Sequence, residues 1–420
     1  MRILKALEII VLAAGVSACR KSAVIAPEFP VSPTTGTRTQ FTLDSIYLYA
    51  KQIYLWSDVL PAYAVFNPRR YAVDPLHLNA FNTELFDISQ LKVNPQTGFK
   101  YEKPITPGSP KYSFLTELDS NGSLAAVGAP VLDAVLKDTV LRKNVAYVAL
   151  GSFPGLNTCK DKLDAAFAKL KAANPVQLVV DLRYNGGGFV ETAEYVANLI
   201  APSSLNGKVM FSEQYNALLQ ASGATILKNQ TYYDANGNTV IYKGRTATLA
   251  DVDYTEAGNT HHFKKQSGME TVKEIYFITS VATASASELL ISALKPYFNV
   301  KLVGSTTYGK PVGFFPVKID VYNVYLSGFL IRNARGWSDY FQGIPADIEI
   351  TPEDSPALGD PNEACLSAVL ELINGASLST VQQQANNKTV QITSIVKSSP
   401  ACTIIKPDGM IENRLKLKNN

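Results

Sequence analysis

Histidine is scarce in this sequence: His77, His261 and His262 are the only three in 420 residues. A mechanism built on an imidazole base or a His-rich metal centre therefore has few candidates. Cysteine is as sparse, with Cys19, Cys159, Cys365 and Cys402, which excludes a small disulfide scaffold. Charge of either sign is not in excess. The 39 Lys and Arg stand against 36 Asp and Glu for a net +3, with no dense basic run, so a nucleic-acid partner is set aside. The apolar run at the N-terminus is broken by Glu8 and falls short of the roughly 20 residues a membrane span needs. What is present is a 46% hydrophobic, 18% charged composition, enough for a real core and unlike a disordered chain. At about 150 residues per domain the length suggests two or three domains.

Residues 1–18 read as an export signal: Arg2 and Lys5 at the start, an apolar stretch from Ala6 to Val16, then small residues. Val16-Ser17-Ala18-Cys19 resembles the lipobox of bacterial lipoproteins. The resemblance implies cleavage before Cys19, lipidation of its sulfur, and an outer-membrane anchor, because Arg20 rather than Asp follows. Residues 19–40, rich in Pro, Thr and Ser, are expected to be a tether. A helix is predicted from about Asp44 to Trp56, capped by Thr42 or Asp44, opening a small N-terminal helical domain over 41–115.

From Asn144 onward strands and helices alternate, which predicts an α/β fold with a mostly parallel sheet covered by helices. Predicted strands are Val145–Leu150, Val176–Leu182, Glu274–Thr279 and Val300–Gly304. Predicted helices are Cys159–Ala172, capped by Asn157 or Thr158, one carrying Ala193 to Ile200, and Ser285–Leu294. Residues 205–270 look like a polar elaboration, Phe314–Ile331 is β-rich, and 376–420 is a polar tail.

Three stretches carry candidate chemistry. Asp181-Leu182-Arg183-Tyr184-Asn185-Gly186-Gly187-Gly188 puts a glycine turn at a strand end, where backbone amides can face an anion, or where the chain simply turns tightly. In Thr283-Ala284-Ser285-Ala286-Ser287-Glu288 a serine opens a helix, either as an ordinary N-cap or as a nucleophile in the field of free amides. It is not a Gly-x-Ser-x-Gly elbow, and no His is suitably placed, which argues against an α/β-hydrolase triad. Gly304-Ser305-Thr306-Thr307-Tyr308-Gly309-Lys310-Pro311 nearly matches a phosphate-binding loop, but Pro311 stands where a hydroxyl must hold magnesium. Taken with the second stretch, Lys310 offers a base for serine. A free lysine loses its proton near pH 10.4, so it must be desolvated to act, and Tyr308, Pro311, Val312, Phe314 and Phe315 supply apolar surroundings. The alternative is a solvated surface lysine.

In this order, the three stretches resemble the core signatures of the C-terminal-processing (tail-specific) protease family of serine peptidases. The Gly343–Ile348 stretch resembles a further family segment. The resemblance covers 144–375, taken as the catalytic domain, and is weaker over 41–115. It implies a core like that of the crotonase and Clp protease superfamily, Ser285 as nucleophile and Lys310 as base. It also implies an oxyanion hole from the amides of Ala286 and Gly188, with Gly187 as the other option. No metal or cofactor is implied, and the partner is a protein or peptide substrate in the bacterial cell envelope. Two departures stand out. The connector 116–143 is too short for the PDZ domain many relatives carry. Phe314 occupies the position where relatives often place a Gln that orients the lysine. These features leave a peptide- or lipophile-binding protein on the same fold as the alternative function. A metal-dependent hydrolase using His261 and His262 is a further rival. Adjacent histidines point apart on a strand, and no carboxylates cluster near them in sequence, so a solvated loop is expected there.

Overall fold

The computed structural model describes residues 32–74, 76–117, 132–141, 145–234, 237–264, 268–351, 357–393 and 410–418. The signal 1–18, Cys19, most of the tether and half of the connector lie outside the described residues.

The centre is a six-stranded sheet in the order Ile348–Glu349, Asn299–Gly304, Glu274–Thr279, Gln177–Asp181, Val145–Ala149, Lys137–Leu141. The first five strands run parallel and the last pairs antiparallel with Val145–Ala149. A parallel sheet buried on both faces needs continuous apolar strands, and Val145–Ala149 is buried at every residue. Helices Leu156–Ala172, Val190–Ile200 and Ala286–Leu294 bury their apolar stripes in one large core, while Ala364–Ile373 packs into a second cluster on the other side. The sequence expectation of an α/β core with a mostly parallel sheet is met.

Two antiparallel sheets flank the centre. One runs in the order Val312–Gly313, Phe329–Asn333, Val209–Tyr215, Thr260–His262. The other is Phe114–Glu117, Tyr322–Tyr325, Val317–Ile319. The polar 205–270 stretch is thus not merely an elaboration. Its strand Val209–Tyr215 is an inner strand of a sheet, and one of its two partners, Phe329–Asn333, lies more than 100 residues away in sequence.

The N-terminal helix spans Arg38–Ile53, starting earlier than its hydrophobic period suggested. Thr37 caps it, accepting the Gln40 amide while the Gln40 side chain accepts the Thr37 amide. Thr42 instead donates to the Arg38 carbonyl, and buried Asp44 binds Arg69 at 2.7 Å. This helix and His77–Ser89 share one buried cluster with the helices that cover the central sheet. The helix Leu156–Ala172 likewise begins before Asn157 and Thr158. Its N-cap is Gly155, and Glu191 accepts the Leu156 amide.

The polar tail contributes order where composition gave no reason to expect it. A helix covers Leu378–Thr393, and residues 410–418 thread back into the core. There Ile411 bridges Phe189 on one side and Phe314 on the other, with Met410 fully buried.

Candidate active site

Three adjacent parallel strands end side by side, and their outgoing loops carry the three candidate stretches. Crevices beyond the carboxyl ends of such strands are where α/β sheets hold ligands. Register makes the convergence specific. Asp181, Ile278 and Val303 are level across the sheet. Gly188, Ser285 and Lys310 each lie seven residues beyond their own member of that row.

Ser285 precedes helix Ala286–Leu294 with φ 63° and ψ −117°. This conformation is unfavourable for any residue with a Cβ and is typical of strained functional positions. The residue is fully buried and its hydroxyl has no hydrogen-bond partner among the described residues. It sits at the N-cap position, where Glu288 accepts its backbone amide in a capping-box arrangement, but its hydroxyl is not used up in that cap. Free amides of the first helical turn, Ala286 among them, lie at the positive end of the helix.

The glycine turn abuts this serine. Gly187 has φ 110°, and a Cβ there would stand 2.7 Å from the Ser285 Cβ and 3.0 Å from the Ala286 nitrogen. Gly188 has φ 136°, and a Cβ would fall 2.0 Å from the Phe153 carbonyl oxygen. The Gly187 amide is already used, donating to Asn185 Oδ1 at 2.9 Å. Of the two amides weighed for an oxyanion, that leaves Gly188. Asn185 fastens the turn to the serine loop as well: its carbonyl accepts from the Ala284 amide at 3.2 Å and the Ser287 hydroxyl at 3.0 Å. Arg183 is buried between Asp181 and Glu363, each at 2.8 Å, and so anchors the turn's other end.

Lys310 is 1% exposed, which removes the surface-lysine alternative. Its Nζ lies 4.6 Å from the Phe314 ring centre and 5.9 Å from that of Phe114. Phe314 therefore supplies an aromatic wall in the position where a glutamine was anticipated. The loop before Lys310 does cradle an anion, but the anion belongs to the chain. Glu288 Oε1 accepts from Thr307 Oγ1 at 2.5 Å and the Gly309 amide at 2.7 Å. Its Oε2 accepts from the amides of Lys310 and Ser285, both at 2.8 Å. Burial raises the Glu288 pKa, opposed by these hydrogen bonds. The sequence reading gave Glu288 no role, although a glutamate three residues after a helix-capping serine is a recognisable capping-box signal.

The N-terminal region closes over the lysine loop. Tyr112 Oη donates to the Gly309 carbonyl at 2.5 Å, and Tyr308 Oη donates to the Lys111 carbonyl at 3.0 Å. Behind the glycine turn, the Ile411 amide donates to the Gly188 carbonyl at 3.3 Å and the Phe314 amide to the Met410 carbonyl at 2.9 Å. Neither contact was legible from sequence. Cys19 lies outside the described residues. Cys159 and Cys365 are buried and free.

The histidine reading needs correction. His261 and His262 lie on a strand, not a solvated loop, and His261 is nearly buried. Glu194 lies 3.0 Å from its Nδ1, Glu213 lies 3.5 Å from its Nε2, and Glu412 is nearby. These carboxylates are distant in sequence, so local composition could not reveal them.

Comparison with known proteins gives a consistent picture. Residues 144–350 match Peptidase family S41. A curated relative, the chloroplastic C-terminal processing peptidase of Tetradesmus obliquus, is 23% identical over 282 residues, or 65% of this chain. The match takes in half of that relative's length. A solved structure from Bacteroides fragilis NCTC 9343, described as an S41 protease, is 21% identical with a TM-score of 0.45, covering 63% of this chain and 66% of its own. The photosystem II D1 C-terminal processing protease is 14% identical with a TM-score of 0.44, covering 77% of this chain and 95% of its own.

Proposed function

Residues 144–350 are a peptidase family S41 domain, and from that premise we propose that the chain is a serine-type peptidase cleaving peptide bonds with a Ser285–Lys310 dyad. The observation that carries this reading is Ser285 itself: strained, buried, its hydroxyl unpaired, and tied through Glu288 to the loop of the buried Lys310.

In the proposed mechanism neutral Lys310 takes the Ser285 proton as the serine oxygen attacks the peptide carbonyl. The amides of Ala286 and Gly188 receive the oxyanion. Lys310 then protonates the departing amine, and water releases the acyl group by the reverse sequence. The residues that perform these steps are the chain's own; no cofactor enters. We further propose that Cys19 is lipidated and holds the enzyme to the outer membrane, so that its substrates are proteins or peptides of the cell envelope. The lipobox-like sequence supports that location.

The test is cleavage of an unstructured protein by the chain lacking residues 1–19, across pH 6 to 10, beside Ser285→Ala and Lys310→Ala. Cleavage by the parent and by neither variant is expected. Equal cleavage by all three would remove the dyad from these residues. Silence from the parent, together with no labelling of Ser285 by a serine-acylating reagent, would favour the binding protein instead.

A further inference from the structure

Away from Ser285, three side chains from separate parts of the chain meet in the flanking four-stranded sheet. Glu213 lies on Val209–Tyr215, His261 on the paired strand Thr260–His262, and Glu412 on the inserted 410–418 segment. One potential ligand atom from each lies within 4.8 Å of the others.

The details distinguish this cluster from a chance meeting of charges. Glu213 is fully buried; its Oε2 accepts the Tyr215 hydroxyl at 2.8 Å, while its Oε1 has no hydrogen-bond partner among the described residues. That unpartnered oxygen faces His261 Nε2 at 3.5 Å. The imidazole is fixed from two other directions: its ring stacks on Phe211 with centres 4.3 Å apart, and Glu194 Oε2 lies 3.0 Å from Nδ1. A carboxylate on Nδ1 fixes the ring with Nε2 toward Glu213 and Glu412, the way carboxylates orient metal-ligating histidines. Charge points the same way. Glu191, Glu194 and Glu412 surround a single guanidinium, Arg414, which lies 3.0 Å from both Glu194 and Glu412 and 3.9 Å from Glu191. Glu213 and Glu412 are both buried, and buried carboxylates need compensation.

We infer that Glu213, His261 and Glu412 bind a divalent cation of the zinc type, which fastens residues 410–418 to the core. One imidazole nitrogen with two carboxylate oxygens is a donor set zinc accepts, at bonds of about 2.0–2.2 Å. The three side chains draw together around it. Its place in the fold is structural: the Glu412 amide donates to the Phe314 carbonyl at 3.1 Å, and the Val190 amide to the Ile411 carbonyl at 3.2 Å. The cation thereby steadies the segment that backs both the glycine turn and the lysine wall. It takes no part in the proposed hydrolysis, and its binding is measured without reference to activity.

The experiment strips the full chain with a chelator, dialyses it against Zn²⁺, and measures metal content and melting temperature. One zinc per chain is expected, with a rise in melting temperature that a chelator reverses and slower hydrogen exchange at Ile411 and Glu412. Glu213→Gln and His261→Gln should each weaken zinc binding by about 100-fold or more, and Glu194→Gln by roughly 10–100-fold. His262→Gln, on the exposed neighbour, should bind as the parent does. Circular dichroism checks that each variant is folded, with Glu412→Gln replacing any that is not. Two results overturn the inference. Zinc retained equally by the Glu213 and His261 variants would place it elsewhere. No bound zinc, with His261 doubly protonated by NMR at pH 8, would make the cluster an imidazolium held between carboxylates.

Discussion

Ser285 and Lys310 donate their backbone amides to the same carboxylate oxygen, Glu288 Oε2, each at 2.8 Å. The two loops are thus held in register by one buried carboxylate that binds their backbones. In Glu288→Gln, two of the four amide and hydroxyl donors would meet an NH₂ group instead of an oxygen. Because the site is buried, the expected cost is about 2–4 kcal/mol of stability. Activity should fall by at least 100-fold with little change in KM, since misplacing a base by an ångström costs on that order. Chemical denaturation and steady-state kinetics check both parts.

Removing the Ser285 side chain separates catalysis from strain. Ser285→Ala is expected to lose peptidase activity and yet melt at or above the parent temperature, because a buried hydroxyl without a partner is removed. Ser285→Gly should be more stable than Ser285→Ala. A φ of 63° with a Cβ costs about 1–3 kcal/mol, and glycine's extra unfolded freedom returns only about 0.5–1. A melting temperature for the glycine variant below that of alanine would show that the turn carries no such strain.

The two glycines should respond differently. At Gly188 an added methyl meets backbone, the Phe153 carbonyl at 2.0 Å, so Gly188→Ala is expected to unfold the turn and lower the melting temperature sharply. At Gly187 the methyl meets the Ser285 Cβ at 2.7 Å. Gly187→Ala should therefore displace the nucleophile, lowering kcat by roughly 100- to 1,000-fold, the range seen when an oxyanion donor is lost. Acylation rates with an active-serine reagent report this directly.

Lys111 provides a pH signature. Burial lowers its pKa to about 8, opposed by Glu288 and Glu102, while its Nζ donates to the Phe341 carbonyl at 2.6 Å. The folded lysine loses its proton near pH 8 and the unfolded one near its ordinary 10.5. Between these values the unfolded chain binds more protons, so this group's contribution to stability rises with pH across that window. The parent should gain up to about 3 kcal/mol relative to Lys111→Met from pH 8 to pH 10.5. Parallel denaturation curves for the two proteins would contradict the assignment.

Much of the site was legible because its geometry is local at each step. Strand Glu274–Thr279 was read to the residue from its apolar run, and three loops leaving neighbouring parallel strands had to converge. What escaped was long-range. Thr37 lies before the apolar stripe of its helix, so periodicity gave no hint that the helix began there. Glu213 and Glu412 approach His261 only after two sheets have formed. The 410–418 segment looks like a polar tail because its few apolar residues, Met410, Ile411, Leu415 and Leu417, are interleaved with charged ones, and backbone hydrogen bonds complete its insertion.

That segment gives the proposed site a timetable. Ile411 backs the oxyanion turn, yet it lies about a hundred residues further along the chain than Lys310. At synthesis rates of about 5–20 residues per second it follows the lysine by roughly 5–20 s. A chain still being made carries Ser285 and Lys310 but not the strand that backs their loops. On the proposed function, activity then waits for the last-made segment to fold into place.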